Sequence, residues 1–312
     1  MKKMLGTIMA IAMLLSTTVS ATVVEPELNN DVSESGYAET HFQVNFKDYN
    51  VEVAEGKLKV TEKTPRMTCD AEGAETDNLN KLESIFAEFP DVEDNLIRDY
   101  QAEGLIAASF TEIPLEYVDG HYERARNYAS SDNDKDRTNK GKFVMYTTIT
   151  GGQTAYAGGY RYTANTYGSW SNDMAGGSNY PDKGEDYIFQ TSPNTFSRAS
   201  DSITVEYDAS PTTGVSGDDY WKENGDATYV RYAVLDDPLG YRQCKSIKLT
   251  TVSSGPKSSN LRQIGSYYIH TWEEMSINVS VDISTEKSVT LSISPTNTQK
   301  SWQAYNYVAF DF

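Results

Sequence analysis

Ser276-Ile-Asn-Val-Ser-Val-Asp-Ile283, followed by Ser288-Val-Thr-Leu-Ser-Ile293, decides the fold class. In both stretches every second residue is apolar and the residues between are Ser, Thr, Asn or Asp. A period of two puts Ile277, Val279, Val281 and Ile283 on one face of a strand. It puts Val289, Leu291 and Ile293 on one face of the next. That is the pattern of a half-buried antiparallel sheet.

Working outward, the rest of the C-terminal half carries the same signal. The segments 142–150, 160–166, 186–190, 202–207, 227–235, 244–252, 267–273 and 303–312 are rich in Val, Ile, Thr and Tyr. Gly, Pro, Asn and Ser separate them, as turns require. Many short strands with no intervening helix predict an antiparallel β-sandwich, jelly-roll or immunoglobulin-like in connection. The closing alternation of Phe310 and Phe312 raises an outer-membrane barrel, but the strands are short and uneven and the lipid-facing alternation is not sustained.

Residues 41–140 read as a small α+β region. Phe42, Val44 and Phe46 share a strand face, and Ala54-Glu55-Gly56 is a turn between Val51/Val53 and Leu58/Val60. Leu79, Leu82, Ile85, Phe86 and Phe89 form an apolar stripe at helical spacing opened by Thr76-Asp77. Pro90 suits the first position of a second helix, acids follow in its first turn, and Gly104 suits its end. Two short helices are therefore expected, packed on a sheet.

The charge is distributed unevenly. The chain has 312 residues and a formal net charge of −18. Residues 22–140 hold 12 bases and 27 acids, a net of −15, whereas residues 141–312 hold 13 and 18, a net of −5. All four Trp and 16 of the 22 Tyr fall in the second part. Such acidity excludes phosphate-neutralising nucleic-acid binding and docking on anionic lipid.

Residues 1–21 read as a secretory signal peptide: Lys2-Lys3, an apolar run from Met4 to Leu15, and Val19-Ser20-Ala21 as the cleavage site. No other stretch approaches about 20 apolar residues, so membrane insertion is not expected. An acidic linker over 22–40, the α+β region over 41–140 and a sandwich over 141–312 complete the division. In a secreted chain Cys69 and Cys244 are candidates for a disulfide worth about 5 kcal/mol in the chain-entropy model. Two buried thiols are the other reading.

No nucleophile elbow, Walker loop, dinucleotide fingerprint or paired-histidine metal motif occurs. Asp132, Asp134 and Asp136 alternate as Ca²⁺ ligands do, but Arg137 stands where the loop glycine belongs and Phe143 where the bidentate Glu belongs. Otherwise no cofactor is expected. Glu206 and Asp208 share a strand face, and Glu273 follows Trp272. These are the acids a carboxylate-dependent glycan hydrolase would use. The region 153–187 sets aromatics among Gly, Ser, Asn and Asp, a composition that suits sugar stacking and hydrogen bonding but also plain packing beneath a loop. The leading expectation is a secreted, non-enzymatic binding protein for a glycan or cell-surface protein, with Tyr160, Tyr162, Trp170 and Trp221 as contacts. The alternatives are that hydrolase, and a structural or host-interacting surface protein.

Overall fold

A computed structural model describes residues 39–63, 72–118, 121–125, 140–152, 159–171, 184–191, 196–208, 220–225, 229–235, 243–256, 262–272, 277–282, 290–295 and 301–311. Residues 1–21, expected to be a signal peptide, most of the stretch 22–40 expected to be an acidic linker, Cys69 and the Asp132–Asp136 run lie outside these residues.

The chain order is β1 (Thr40–Asn45), β2 (Tyr49–Ala54), β3 (Lys57–Glu62), α1 (Glu72–Glu88), α2 (Pro90–Glu103), β4 (Leu105–Val118) and β5 (His121–Arg124). Then follow β6 (Lys140–Gly152), β7 (Gly159–Trp170), β8 (Glu185–Thr191), β9 (Ser197–Asp208), β10 (Tyr220–Gly225) and β11 (Tyr229–Leu235). The last are β12 (Gln243–Pro256), β13 (Arg262–Thr271), β14 (Ile277–Asp282), β15 (Thr290–Pro295) and β16 (Ser301–Phe310).

Two antiparallel sheets stack as a sandwich. The larger runs β1-β4-β6-β7-β12-β9, with β5 also pairing β4, and the smaller runs β10-β11-β8-β13-β16. The composition break at residue 140 falls between β5 and β6, both of which pair with β4. Helices α1 and α2 and the β2–β3 hairpin cover the outer face of the larger sheet. There Leu82, Ile85, Phe89, Val92 and Leu96 bury against Phe110, Val144, Tyr146 and Tyr167.

The local signals explain these elements. Glu55 and Gly56, with φ of 56° and 75°, supply the left-handed pair that a two-residue hairpin turn needs. Pro90 opens α2, and Gly104 closes it by donating its N–H to the Tyr100 carbonyl at 2.8 Å. Helix α1 begins at Glu72, four residues ahead of the expected Thr76-Asp77 start. Strand β4 had no clean sequence signal, because it is buried on both faces. Ala108 and Phe110 pack toward the helices, while Ile113 and Leu115 pack into the sandwich. Two-sided burial erases the period of two.

Acids in α2 do more than solvate its surface. Asp99 accepts hydrogen bonds from the Tyr167 hydroxyl (3.0 Å) and from Thr148, and lies 3.7 Å from Lys248 Nζ. Glu93 accepts from the Leu58 N–H at 2.9 Å and from Lys57 at 2.8 Å, and Asp91 accepts from Ser169 at 2.8 Å. Burial and the nearby Asp99 carboxylate push the Tyr167 hydroxyl well above its ordinary pKa. The phenol therefore stays a donor, and α2 is tethered to the sheet by polar as well as apolar contacts.

A band of polar side chains crosses the sandwich interior. Thr147 and Thr166 of the larger sheet meet Ser266 of the smaller at 2.9 and 2.7 Å, and Gln190 donates to Thr166 at 2.8 Å. Thr251 donates to Gln190, and Asn306 donates to Ser109 and Thr111, both at 3.2 Å. On one side of this band lie Phe143, Trp170, Tyr268 and Trp302, and on the other Ile149, Tyr162, Ile264 and Phe310. Each such bond contributes only about 0.5–1.5 kcal/mol net. Their geometry nonetheless restricts the sheets to one relative register, since a slip would leave buried donors unpaired.

At the edge of the sandwich, Glu39 ties β1 to two distant strands. Its carboxylate meets Arg124, His41 Nε2 at 2.9 Å and the Tyr305 hydroxyl at 3.4 Å. Burial pulls the Glu39 pKa up, but the His41 hydrogen bond and the Arg124 charge outweigh it and hold it below 4.5. Burial and that carboxylate push Tyr305 up to about 12. A depressed carboxylate stabilises the fold above its unfolded-state pKa, and that contribution is lost as the pH falls through the folded value. Glu39→Gln is thus expected to lower the melting temperature at pH 7 and to make progressively less difference below pH 4.5. An equal gap at pH 7 and pH 3 would show that Glu39 does not titrate this way.

Candidate binding site at one end of the sandwich

The smaller sheet brings β8, β13 and β16 together so that Asp186, His270 and Trp302 stand at one end of the interior. Asp186 is fully buried and accepts three donors: the Tyr268 hydroxyl, His270 Nδ1 (3.0 Å) and the Thr271 N–H (3.0 Å). The His270 ring sits 5.2 Å from Trp170, 5.3 Å from Trp302 and 6.0 Å from Trp272. Trp302 donates its indole N–H to the Tyr122 carbonyl at 3.1 Å, joining this group to β5.

The layer above is partly open. Trp272, the residue after β13, is half-buried. His121 stacks on it, with ring centroids 4.1 Å apart and planes 21° apart. His121 and Glu123 share a face of β5, and His121 Nε2 lies 2.9 Å from Glu123 Oε1. The Glu123 side chain is 37% exposed against 13% for His121, so the carboxylate faces water. The Trp272 Nε1 is sheltered from solvent and has no acceptor among the described residues. Tyr117 packs at the same end, edge-on to Tyr122 at 5.1 Å. The result is an indole stacked on His121, whose other partner is a water-exposed carboxylate.

The expected contact residues fall elsewhere. Trp170 is 4% exposed and Tyr162 0%, so both are core residues and neither offers a ring face to a ligand. Trp170 packs edge-on to Phe143 at 5.1 Å, and Tyr162 packs against Phe196 at 5.0 Å. Tyr160 is half-buried at the opposite end of β7. Ten residues of strand separate it from Trp170, about 33 Å, too far for one small site. Trp221 occupies a position on β10 opposite Ala233. The packing reading of this Tyr/Trp-rich region therefore holds for its two best-placed rings: they point inward because the second sheet covers that face.

The candidate acids are dispersed too. Glu206 is exposed on edge strand β9 and accepts a hydrogen bond from Ser246 at 3.2 Å. Asp208 ends the same strand, and Glu273 lies outside the described residues. Cys244 is buried in the core, while its prospective partner Cys69 lies outside the described residues. Among the described residues no group of three or more His, Cys, Asp or Glu could hold a metal ion. Nor is any helix among them long and apolar enough to cross a membrane.

His121, Glu123 and Trp272 are the site residues that sequence reasoning missed. A single weak signal pointed to them, the spacing of His121 and Glu123 on one strand face. Trp272 is 151 residues away in the chain, and only the stacking of the sheets brings it near.

No family model matches this sequence, and no curated protein matches it. Among solved structures the chain is similar to Clostridium perfringens delta-toxin, at 8% identity and a TM-score of 0.29, over 65% of this chain and 94% of that one. It is also similar to the pilus backbone protein of Streptococcus pneumoniae, at 8% identity and a TM-score of 0.24, over 49% of this chain and 44% of that one. Likenesses at this level carry no functional assignment, and the site's own chemistry has to supply one.

Proposed function

We propose that this chain is a secreted β-sandwich binding protein whose ligand is a carbohydrate of a cell or matrix surface, held at the Trp272 end. The observation that carries the reading is the half-buried indole of Trp272, stacked against His121, whose other partner, the Glu123 carboxylate, is open to water. A pyranose presents an apolar face and a rim of hydroxyls. The first stacks on an aromatic ring face, and the second pairs with a carboxylate. The net charge of −18 favours neutral over anionic sugars.

The test is glycan-array screening of the mature chain, followed by titration of a hit against variants. Trp272→Ala is expected to weaken binding at least tenfold and Glu123→Gln severalfold. Tyr160→Ala, at the far end of the sandwich, should leave binding unchanged. Absence of any array signal, or wild-type affinity in Trp272→Ala, would remove this reading.

A further inference from the structure

His121 touches both groups on which the sugar reading depends. Its ring stacks on the Trp272 indole, with centroids 4.1 Å apart and planes 21° apart. Its Nε2 lies 2.9 Å from Glu123 Oε1. The imidazole is largely sheltered, at 13% exposure, while the carboxylate it meets faces water at 37%. Strand geometry sets this position. Residues 121 and 123 project from one face of β5, and Tyr122 and Arg124 from the other.

The charged groups around this imidazole are few among the described residues. On β5 itself Glu123 meets it, whereas Arg124 lies on the opposite face and pairs with Glu39. On β4 the buried Glu116 opposes Glu123 in register. His270 lies with its ring 6.0 Å from that of Trp272, and its Nδ1 is tied to Asp186 in the core. His270 is 0% exposed, so of the two imidazoles at this end it is His121 that contacts the water-facing carboxylate.

Imidazole is the side chain whose charge ordinarily changes between about pH 5 and 8. A neutral His121 shares one hydrogen bond with Glu123 and leaves the carboxylate's charge to a ligand's hydroxyls. A protonated His121 is a cation between that carboxylate and the face of an indole. Ion pairing and cation–π attraction then both engage it, and the charge of Glu123 is satisfied within the protein. We propose that proton uptake by His121 weakens sugar binding at the Trp272 site, so that acid releases the ligand. This inference rests on the sugar reading and adds its regulation.

The test has two arms. In the first, the ligand-free protein is titrated from pH 8 to pH 5 while tryptophan emission is followed in wild type and in Trp272→Phe, the difference being the Trp272 signal. An imidazolium stacked on an indole quenches its emission, so this signal should fall by at least half on acidification, reversibly. In His121→Gln, which keeps a donor for Glu123 but does not titrate, it should stay level. His41→Gln, on β1, should behave as wild type. In the second arm the glycan array is probed at pH 7.5 and pH 5.5. Neutral glycans bound at pH 7.5 should bind at least fivefold more weakly at pH 5.5, and this ratio should fall below twofold in His121→Gln and in Glu123→Gln. Unchanged circular dichroism and melting temperature show that the variants fold, and His121→Asn is the substitute if His121→Gln does not. A Trp272 signal that ignores pH, or a His121→Gln variant that keeps either pH response, overturns the proposal. Glycan binding of equal strength at both pH values overturns it too, while the sugar reading stands. No glycan bound at either pH overturns both.

Discussion

Asp186→Ala is expected to lower the unfolding free energy by about 3–5 kcal/mol, the cost of breaking a fully buried charge-assisted cluster. The carboxylate is 0% exposed and receives the Tyr268 hydroxyl, His270 Nδ1 and the Thr271 N–H. Alanine removes the acceptor and leaves these three donors inside a cage of Trp170 and Trp302, where water does not replace it without opening the core. Asp186→Asn keeps the volume and one acceptor oxygen, so its loss should be smaller. Urea unfolding followed by tryptophan fluorescence measures both. If the midpoint of Asp186→Ala matches wild type, the cluster does not hold this end of the sandwich together.

Phe143→Ala is expected to cost a similar amount, about 3–5 kcal/mol, by a different mechanism. The ring is 0% exposed and stacks on Tyr268 at 4.6 Å, with Trp170 at 5.1 Å and Trp302 at 5.3 Å around it. Removing it opens a cavity among three other aromatics that cannot collapse, because each is held by its own hydrogen bond or strand. The same ring explains Gly168 on the neighbouring strand, where a Cβ would lie 2.8 Å from Phe143 Cζ. Gly168→Ala alone should destabilise by overpacking. Combined with Phe143→Leu it should cost less than the sum of the two single changes, since the smaller side chain yields the space. Strict additivity in that double-mutant cycle would show that the two positions do not compete for it.

Much of the secondary structure could be read in the chain because it depends on local chemistry. Pro90, Gly104 and the apolar stripe between Leu79 and Phe89 place the two helices. The Val/Ile/Thr/Tyr segments place most strands after residue 140. β10 escaped the reading because Lys222, Glu223, Asn224 and Gly225 are poor strand formers. β4 escaped because both of its faces are covered. The acids of α2, which the sequence places only as dipole complements in its first turn, include the buried tethers Glu93 and, further along, Asp99, since a helix face's polarity does not tell what it will meet.

The site was far less legible. Tyr162 and Trp170 looked like contact residues because their neighbours are polar and small, yet both are interior. His121, Glu123 and Trp272 gave almost no signal, because what joins them is proximity across two sheets.

By itself, then, the sequence determined the antiparallel β class, the ends of the second helix, the hairpin turn at Glu55-Gly56 and the two-faced character of residues 277–293. These follow from backbone preference and nearest-neighbour periodicity, which operate within a few residues. The tertiary structure alone decided which face of each strand is inside. It turned Thr147, Thr166 and Gln190 inward as a polar band, enclosed Trp170, and left Trp272 half-open beside Glu123. Burial is set by which sheets stack and in what register, a relation among residues up to hundreds of positions apart that no local pattern encodes.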